Sequence, residues 1–222
     1  TVREIAGVFD ASTLGKIEVV GPDAAEFMNL LYTNPWSKLE VGRLRYGVML
    51  NEAGFVMDDG VVGRIADDRF HVTTTTGGAP RVMNHMEDYL QTEFPHLKVH
   101  LTSTTEQWAV IAVQGPSSKA LLESLGLTLD MDYMAFSHGE ISGCKVIVCR
   151  TGYSGEHGYE VLPTWSEAGK VWDVIAEGLT KAGGLVCGLG SRDTLRTEMG
   201  YPLHGNELSE SISANVGGAA WA

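Results

Sequence analysis

Two segments in the second half of the chain combine side chains that could hold a flat ligand. Residues 151–160 read Thr-Gly-Tyr-Ser-Gly-Glu-His-Gly-Tyr-Glu, and residues 190–196 read Gly-Ser-Arg-Asp-Thr-Leu-Arg. Glu160 follows a glycine-rich turn on a predicted strand, and Arg192 lies near the start of a predicted helix. A carboxylate accepts two parallel hydrogen bonds from a planar N–H pair such as an aminopyrimidine edge. The pattern indicates a ring-binding carboxylate, with an exposed strand acid as the alternative.

The glycines of the first segment do not have the spacing of a nucleotide site. Gly152, Gly155 and Gly158 form G-x-x-G-x-x-G, which differs from the dinucleotide fingerprint and lacks the Gly-Lys-Ser/Thr ending of a phosphate loop. We expect these glycines to permit tight turns and the close approach of another group.

A second group of side chains able to do chemistry lies on a predicted strand in the first half. Asp58 and Asp59 interrupt an apolar run, and adjacent side chains of an extended segment face opposite sides. One of the two could therefore be a site carboxylate with a perturbed pKa, able to stabilise a cation or move a proton. The alternative is a strand end or bulge at which both acids are solvated.

Composition restricts the class of protein. The chain has 222 residues, 44% of them hydrophobic, and a net charge of −12, which suits a soluble globular protein and disfavours nucleic acid or anionic membrane as partners. No apolar run is long enough to span a bilayer, and the first residues do not resemble a secretory signal. The sequence predicts neither nucleic-acid nor membrane binding.

Cysteine and histidine usage predicts neither disulfides nor a metal site. Cys144, Cys149 and Cys187 are odd in number and lack a C-x-x-C pair, so a reducing, cytoplasmic compartment is expected. His96 and His100 have His-x-x-x-His spacing, but they follow Pro95 on a predicted strand rather than a helix.

The order of predicted elements indicates two related halves. Residues 14–20 alternate like a strand and lead through Gly21-Pro22 into a predicted helix, and the second half repeats this at Gly115-Pro116. We therefore predict an α+β fold of two ferredoxin-like halves, each an antiparallel sheet with flanking helices, spanning residues 1–104 and 105–222. We expect the halves to share a ligand cleft.

Three motifs in this order resemble the folate-binding aminomethyltransferase family, typified by the T-protein of the glycine cleavage system. In chain order they are the Leu-Asn-Glu-Ala-Gly-x-x-x-Asp-Asp strand ending at Asp59, the segment ending at Glu160, and the Ser-Arg-Asp-Thr-Leu-Arg helix. Residues 10–16, 45–64 and 71–79 most resemble the C-terminal region of the sarcosine oxidase alpha subunit. Gly60 favours this comparison, because T-proteins more often have a bulky aliphatic residue there.

The resemblance implies tetrahydrofolate binding and roles for particular residues. Asp58 would lie near the reactive nitrogens, Glu160 would hold the aminopyrimidine edge of the pterin, and Arg192 would contact the folate. Tyr46 and Tyr153 are secondary candidates for the walls of the site. Arg196 is expected to have a structural role.

The resemblance also implies a one-carbon transfer. In a sarcosine oxidase, a flavin elsewhere in the complex oxidises sarcosine to an imine, and folate captures the carbon as 5,10-methylenetetrahydrofolate, leaving glycine. FAD, FMN and NAD would then be bound by the parent complex and not by this chain, and other subunits would be partners. The alternatives are a glycine-cleavage aminomethyltransferase and a non-catalytic, folate-binding regulatory protein.

The ends of the sequence depart from the family pattern. Family members continue into a third, β-barrel domain that helps to close the folate cavity, and the segment before Thr1 is absent, so we expect the chain to be a fragment. Val216 stands where the family has an acid.

Overall fold

The computed structural model describes residues 1–222, which form two compact units with interleaved chain segments. One combines Leu14–Thr105 with Pro202–Ala222 and is called the Asp58 unit; the other combines Thr1–Thr13 with Glu106–Tyr201 and is called the Glu160 unit. The chain passes from the Asp58 unit to the Glu160 unit after Thr105, next to the predicted boundary between residues 104 and 105. However, the N-terminal segment belongs to the Glu160 unit and the C-terminal segment belongs to the Asp58 unit. The division into two folate-binding subdomains, residues 1–104 and residues 105–222, stays a prediction.

The Asp58 unit contains a five-stranded antiparallel sheet in the order β3-β4-β5-β2-β6. Its elements, in chain order, are β2 Gly15–Val20, α1 Ala24–Leu31, β3 Leu44–Leu50, β4 Val56–Ala66, β5 Arg69–Thr74, α2 Ala79–Thr92 and β6 His100–Ser103.

One face of this sheet is buried against the two helices. Alternate strand residues such as Ile17 and Val72 pack with Phe27 and Met28 of α1 and with Met86 of α2. This packing places α2 against β2 and β6.

The Glu160 unit contains a six-stranded sheet in the order β11-β1-β7-β10-β9-β8, antiparallel except for the β1–β11 pair. Its elements are β1 Gly7–Asp10, β7 Ile111–Gln114, α3 Ser118–Ser124, β8 Phe136–Ile141, β9 Cys144–Cys149, β10 Gly158–Pro163, α4 Ala168–Lys181, β11 Leu185–Val186 and α5 Leu189–Glu198.

The core of the Glu160 unit lies between its sheet and the helices α3 and α4. Val161 of β10 and Val113 of β7 face Leu122 of α3 and Ile175 of α4. Since β10 alternates between faces, Tyr159 points into this core and Glu160 to the other face.

The predicted internal repeat corresponds to the same local structure in both units. Gly21 follows β2 and precedes α1, and Gly115 follows β7 and precedes α3. Both glycines have positive φ, 147° and 130°, and a Cβ on either would meet neighbouring backbone. Only glycine fits these turns without strain.

The α+β class and the two sheet-containing halves are confirmed. Elements predicted from clear periodicity, including the strand and helix that flank Gly21, have observed ends within about two residues of the expected ones. The two-residue strand β11 was not predicted, because so short an element has no periodicity to detect. No helix has the length and apolar character needed to cross a bilayer.

Candidate active site

Asp58 is buried in the middle of the first sheet. It lies on β4 opposite Met49 of β3, next to an irregularity in the strand pairing, and only 2% of its surface is exposed. The irregularity agrees with the bulge considered from the sequence, but the accompanying expectation that both acids are solvated is wrong. The partner of Asp58 on β3, Met49, and the preceding β4 residues Val56 and Met57 are also buried.

Two hydrogen bonds from Thr75 hold the Asp58 carboxylate. The Thr75 hydroxyl donates to Oδ1 at 2.6 Å, and the Thr75 backbone N–H donates to Oδ2 at 3.1 Å. The backbone N–H of Gly78 in turn donates to the Thr75 hydroxyl at 3.1 Å. A Cβ on Gly78 would lie 2.7 Å from Oδ1, so glycine is needed for the carboxylate to come this close to the start of α2.

Burial raises the pKa of Asp58 from 3.8 to about 6. The hydrogen bonds from Thr75 oppose this increase, whereas the negative charge of Asp59 adds to it. Burial, together with the charges of both acids, also raises the pKa of Tyr32. A carboxyl group with a pKa near 6 can both accept and release a proton close to neutral pH.

Asp59 has different surroundings from Asp58. The hydroxyl of Tyr46 donates to Asp59 Oδ2 at 2.8 Å, while Oδ1 is buried without a hydrogen bond. Burial raises the pKa of this carboxyl as well. The predicted site residue Tyr46 thus contacts Asp59, and its ring also stacks on Trp221 with ring centroids 5.2 Å apart.

Gly60 lies where the sheet leaves no room for a side chain. A Cβ at this position would meet the backbone carbonyl oxygen of Thr73 on β5. The glycine is therefore required by the packing of β4, and this structure could not accept a bulky aliphatic residue there without moving the strand.

In the Glu160 unit, the carboxylate of Glu160 is half-buried and has no hydrogen-bond donor from the protein. Burial raises its pKa, and the charge of Arg192 partly opposes that increase. The two side chains do not form an ion pair. Glu160 is therefore not the exposed strand acid of the alternative interpretation, and its acceptor oxygens are available to a ligand.

Arg192 and two tyrosines form a stacked group near Glu160. The guanidinium of Arg192, in the first turn of α5, lies 4.4 Å from the centre of the Tyr153 ring, and Tyr153 stacks on Tyr201 with centroids 6.0 Å apart. Arg196, by contrast, is buried and bonds to Asp193 and to the backbone carbonyl of Tyr201. These contacts agree with the structural role expected for Arg196.

The glycines of residues 151–160 surround a buried glutamine. A Cβ on Gly152 or Gly158 would meet the side chain of Gln114, and Gly155 has a positive φ of 77°. Gln114 donates to the carbonyl oxygens of Thr151 and Tyr159, which fixes the loop before β10. The glycines thus allow the close approach and the turn that the sequence indicated.

The structure groups the predicted site residues into two sets. Glu160, Arg192 and Tyr153 lie together in one unit, and Asp58 and Tyr46 lie on adjacent strands of the other. The sequence patterns did not indicate the contributions of Thr75, Tyr201 and Gln114. Thr75 could have been found from its position three residues before Gly78, a spacing typical of a hydroxyl-capped turn.

Comparison with known proteins identifies the family. The whole chain, residues 1–222, matches the family described as the GCVT N-terminal domain. The chain belongs to this family. Among curated members, it is 44% identical over 220 residues to the aminomethyltransferase of Mycobacterium tuberculosis, covering 99% of this chain and 59% of that protein. It is also 41% identical over 227 residues to the sarcosine oxidase subunit alpha of Corynebacterium sp. (strain P-1), covering 99% of this chain and 23% of that protein.

A solved member of the GCVT family has the same fold. The glycine cleavage system aminomethyltransferase T from Bartonella henselae aligns with a TM-score of 0.85 at 28% identity, covering 96% of this chain and 56% of that one. The chain therefore spans a little over half the length of these aminomethyltransferases.

Proposed function

We propose that this chain is a tetrahydrofolate-binding, one-carbon transfer module. The observation that carries the proposal is the buried carboxylate of Asp58, which has a pKa of about 6 and is oriented by two donors from Thr75. A group with these properties is suited to stabilise a cationic iminium and to take up the proton released when a nitrogen attacks it.

Glu160 has the properties of a recognition group. Its half-buried carboxylate lacks protein donors and can accept two N–H bonds from an aminopyrimidine edge, and Arg192 with Tyr153 offers a flat, partly charged surface nearby. These features fit the pterin ring of tetrahydrofolate. Tetrahydrofolate, when bound, supplies the nitrogen that takes up the one-carbon unit.

For the donor of the one-carbon unit, we propose the imine formed when a flavin partner oxidises sarcosine. The similarity to sarcosine oxidase subunit alpha and the restricted space at Gly60 support this proposal. This proposal includes a cytoplasmic location for the protein. It also includes the other subunits of such an oxidase as partners, and these subunits would bind FAD, FMN and NAD. The second candidate is the aminomethyltransferase reaction, which is favoured by the 44% identity to proteins of that name.

Calorimetric titration with 5-formyltetrahydrofolate tests folate binding. Glu160→Gln replaces a charged acceptor, so we expect binding to weaken about tenfold or more. Asp58→Asn should bind within about threefold of the unchanged chain but transfer one-carbon units at least about a hundredfold more slowly. Glu140→Gln, which changes an exposed acid on β8 of the same sheet, is the matched control.

Folate binding that is equally strong in the Glu160→Gln and Glu140→Gln variants would contradict the assignment of Glu160. Failure of the folded chain to bind folate would overturn the proposal. Copurification of the protein with flavin-containing subunits or with a lipoyl carrier protein would decide between the two donors.

A further inference from the structure

A second pocket lies in the Glu160 unit, on the face of the sheet opposite Glu160. It has a volume of about 430 Å³, within the range of small-molecule sites, and opens between the loop before β8 and the start of α3. Lys119, Arg150, His157 and Tyr159 contribute the groups that can donate hydrogen bonds into it.

Two basic side chains, Arg150 and Lys119, line this pocket. Burial lowers the pKa of His157, and the charges of Arg150 and Lys119 lower it further. The pKa of Tyr159 is raised by burial, lowered in part by the charge of Arg150 and raised by that of Glu123. The Glu123 carboxylate lies 3.7 Å from the Lys119 ammonium, so the charge of Lys119 is partly neutralised within the protein.

Tyr159 adds an unused donor to the same place. Its side chain is only 1% exposed and packs in the core, and no protein group is hydrogen-bonded to its hydroxyl. Tyr159 lines the pocket, so its hydroxyl could donate a hydrogen bond to a bound acceptor. The hydroxyl is the only polar atom of the ring, and it is the part of Tyr159 suited to bind a ligand in the pocket.

The protein holds the surrounding groups in place. Arg150 donates to the carbonyl oxygen of Met131 at 2.9 Å, and the carbonyl oxygen of His157 accepts hydrogen bonds from the Gly115 N–H and the Ser118 hydroxyl. The site is thus largely formed in the absence of a ligand.

The acidic residues at this pocket lie at its edge. Asp130 and Asp132 are exposed to solvent, where water and salt screen their charges. Neither contributes to the shifted pKa values of His157 and Tyr159. They reduce the net charge of the opening, while Arg150 and Lys119 supply its positive charge.

We infer that this pocket binds the oxyanion of a small molecule, either a carboxylate or a phosphate. Arg150 and Lys119 would neutralise the anion, and the hydroxyl of Tyr159 would donate to one of its oxygens. The inference does not depend on folate binding, because Glu160 lies on the other face of β10.

The test is a titration of the purified chain at constant ionic strength, followed through the imidazole NMR signals of His157. One arm uses inorganic phosphate and the other uses succinate, which separates the two sources of an oxyanion. Arg150→Gln should weaken binding about tenfold, and Lys119→Gln and Tyr159→Phe about threefold or more. Lys145→Gln removes an exposed cation of β9 outside the pocket and should leave binding unchanged.

Saturable binding of either anion that follows this order of variants supports the site and identifies its preferred oxyanion. If neither anion gives a saturable change, the inference is overturned. Equal weakening by Lys145→Gln and Lys119→Gln would also overturn it, since that result indicates general attraction to surface charge. Should Arg150→Gln fail to fold, Lys119→Gln and Tyr159→Phe provide the same comparison.

Discussion

The burial of Asp58 should reduce the stability of the protein at neutral pH. The folded state binds the carboxyl proton more tightly than the unfolded chain does, since the pKa is about 6 in the fold against 3.8 for an ordinary aspartate. The free energy of unfolding therefore falls as pH rises through the interval between these values. At about 1.4 kcal/mol for each pH unit, the difference between the two pKa values lowers the free energy of unfolding by about 3 kcal/mol.

Asp58→Asn should recover most of this free energy. Asparagine has nearly the same shape, its oxygen can accept from the Thr75 N–H, and its amide can donate to the Thr75 hydroxyl oxygen. We expect the variant to be more stable than the unchanged chain by about 3 kcal/mol near pH 8, and by less than about 1 kcal/mol near pH 4.

Urea unfolding of both chains at these two pH values measures the effect. Asp68→Asn, which changes an exposed carboxylate in the turn between β4 and β5, is the control and should alter stability by less than about 0.5 kcal/mol at either pH. A stabilisation by Asp58→Asn that is the same at pH 4 and pH 8 would refute the reasoning, because it would not come from a buried charge.

Two further substitutions test the surroundings of the acid. Thr75→Val removes the hydroxyl that lowers the pKa of Asp58, so that pKa should rise above about 6, as measured by carboxyl NMR titration. Gly60→Ala should lower the free energy of unfolding by about 2 kcal/mol or more, because the new Cβ meets the backbone of Thr73; Gly77→Ala, at an open position, should cost less than about 1 kcal/mol.

The corresponding control for Thr75→Val is Thr102→Val, at an exposed position of β6. A pKa of Asp58 that rises equally in both variants would exclude a specific effect of the Thr75 hydroxyl. Equal losses of stability in Gly60→Ala and Gly77→Ala would show that the approach of β5 to Gly60 is not restrictive.

Local patterns in the sequence were enough to predict the elements and the type of chemistry. The alternation in β2, the helical spacing in α1 and the Gly-Pro turns are local patterns, so they predicted strands, helices and the internal repeat directly. The acids and the arginine could likewise be recognised as candidates from their types and spacing. The family resemblance then assigned them expected roles.

The partners of these side chains, by contrast, depend on the folded arrangement of the strands. Asp58 bonds to Thr75, Asp59 to Tyr46, and Glu160 to no protein group, and none of these outcomes follows from local periodicity. Each pairing depends on which strands are neighbours and on how fully water is excluded between them. The pKa of Asp58 depends on that exclusion and on donors 17 residues away in the chain.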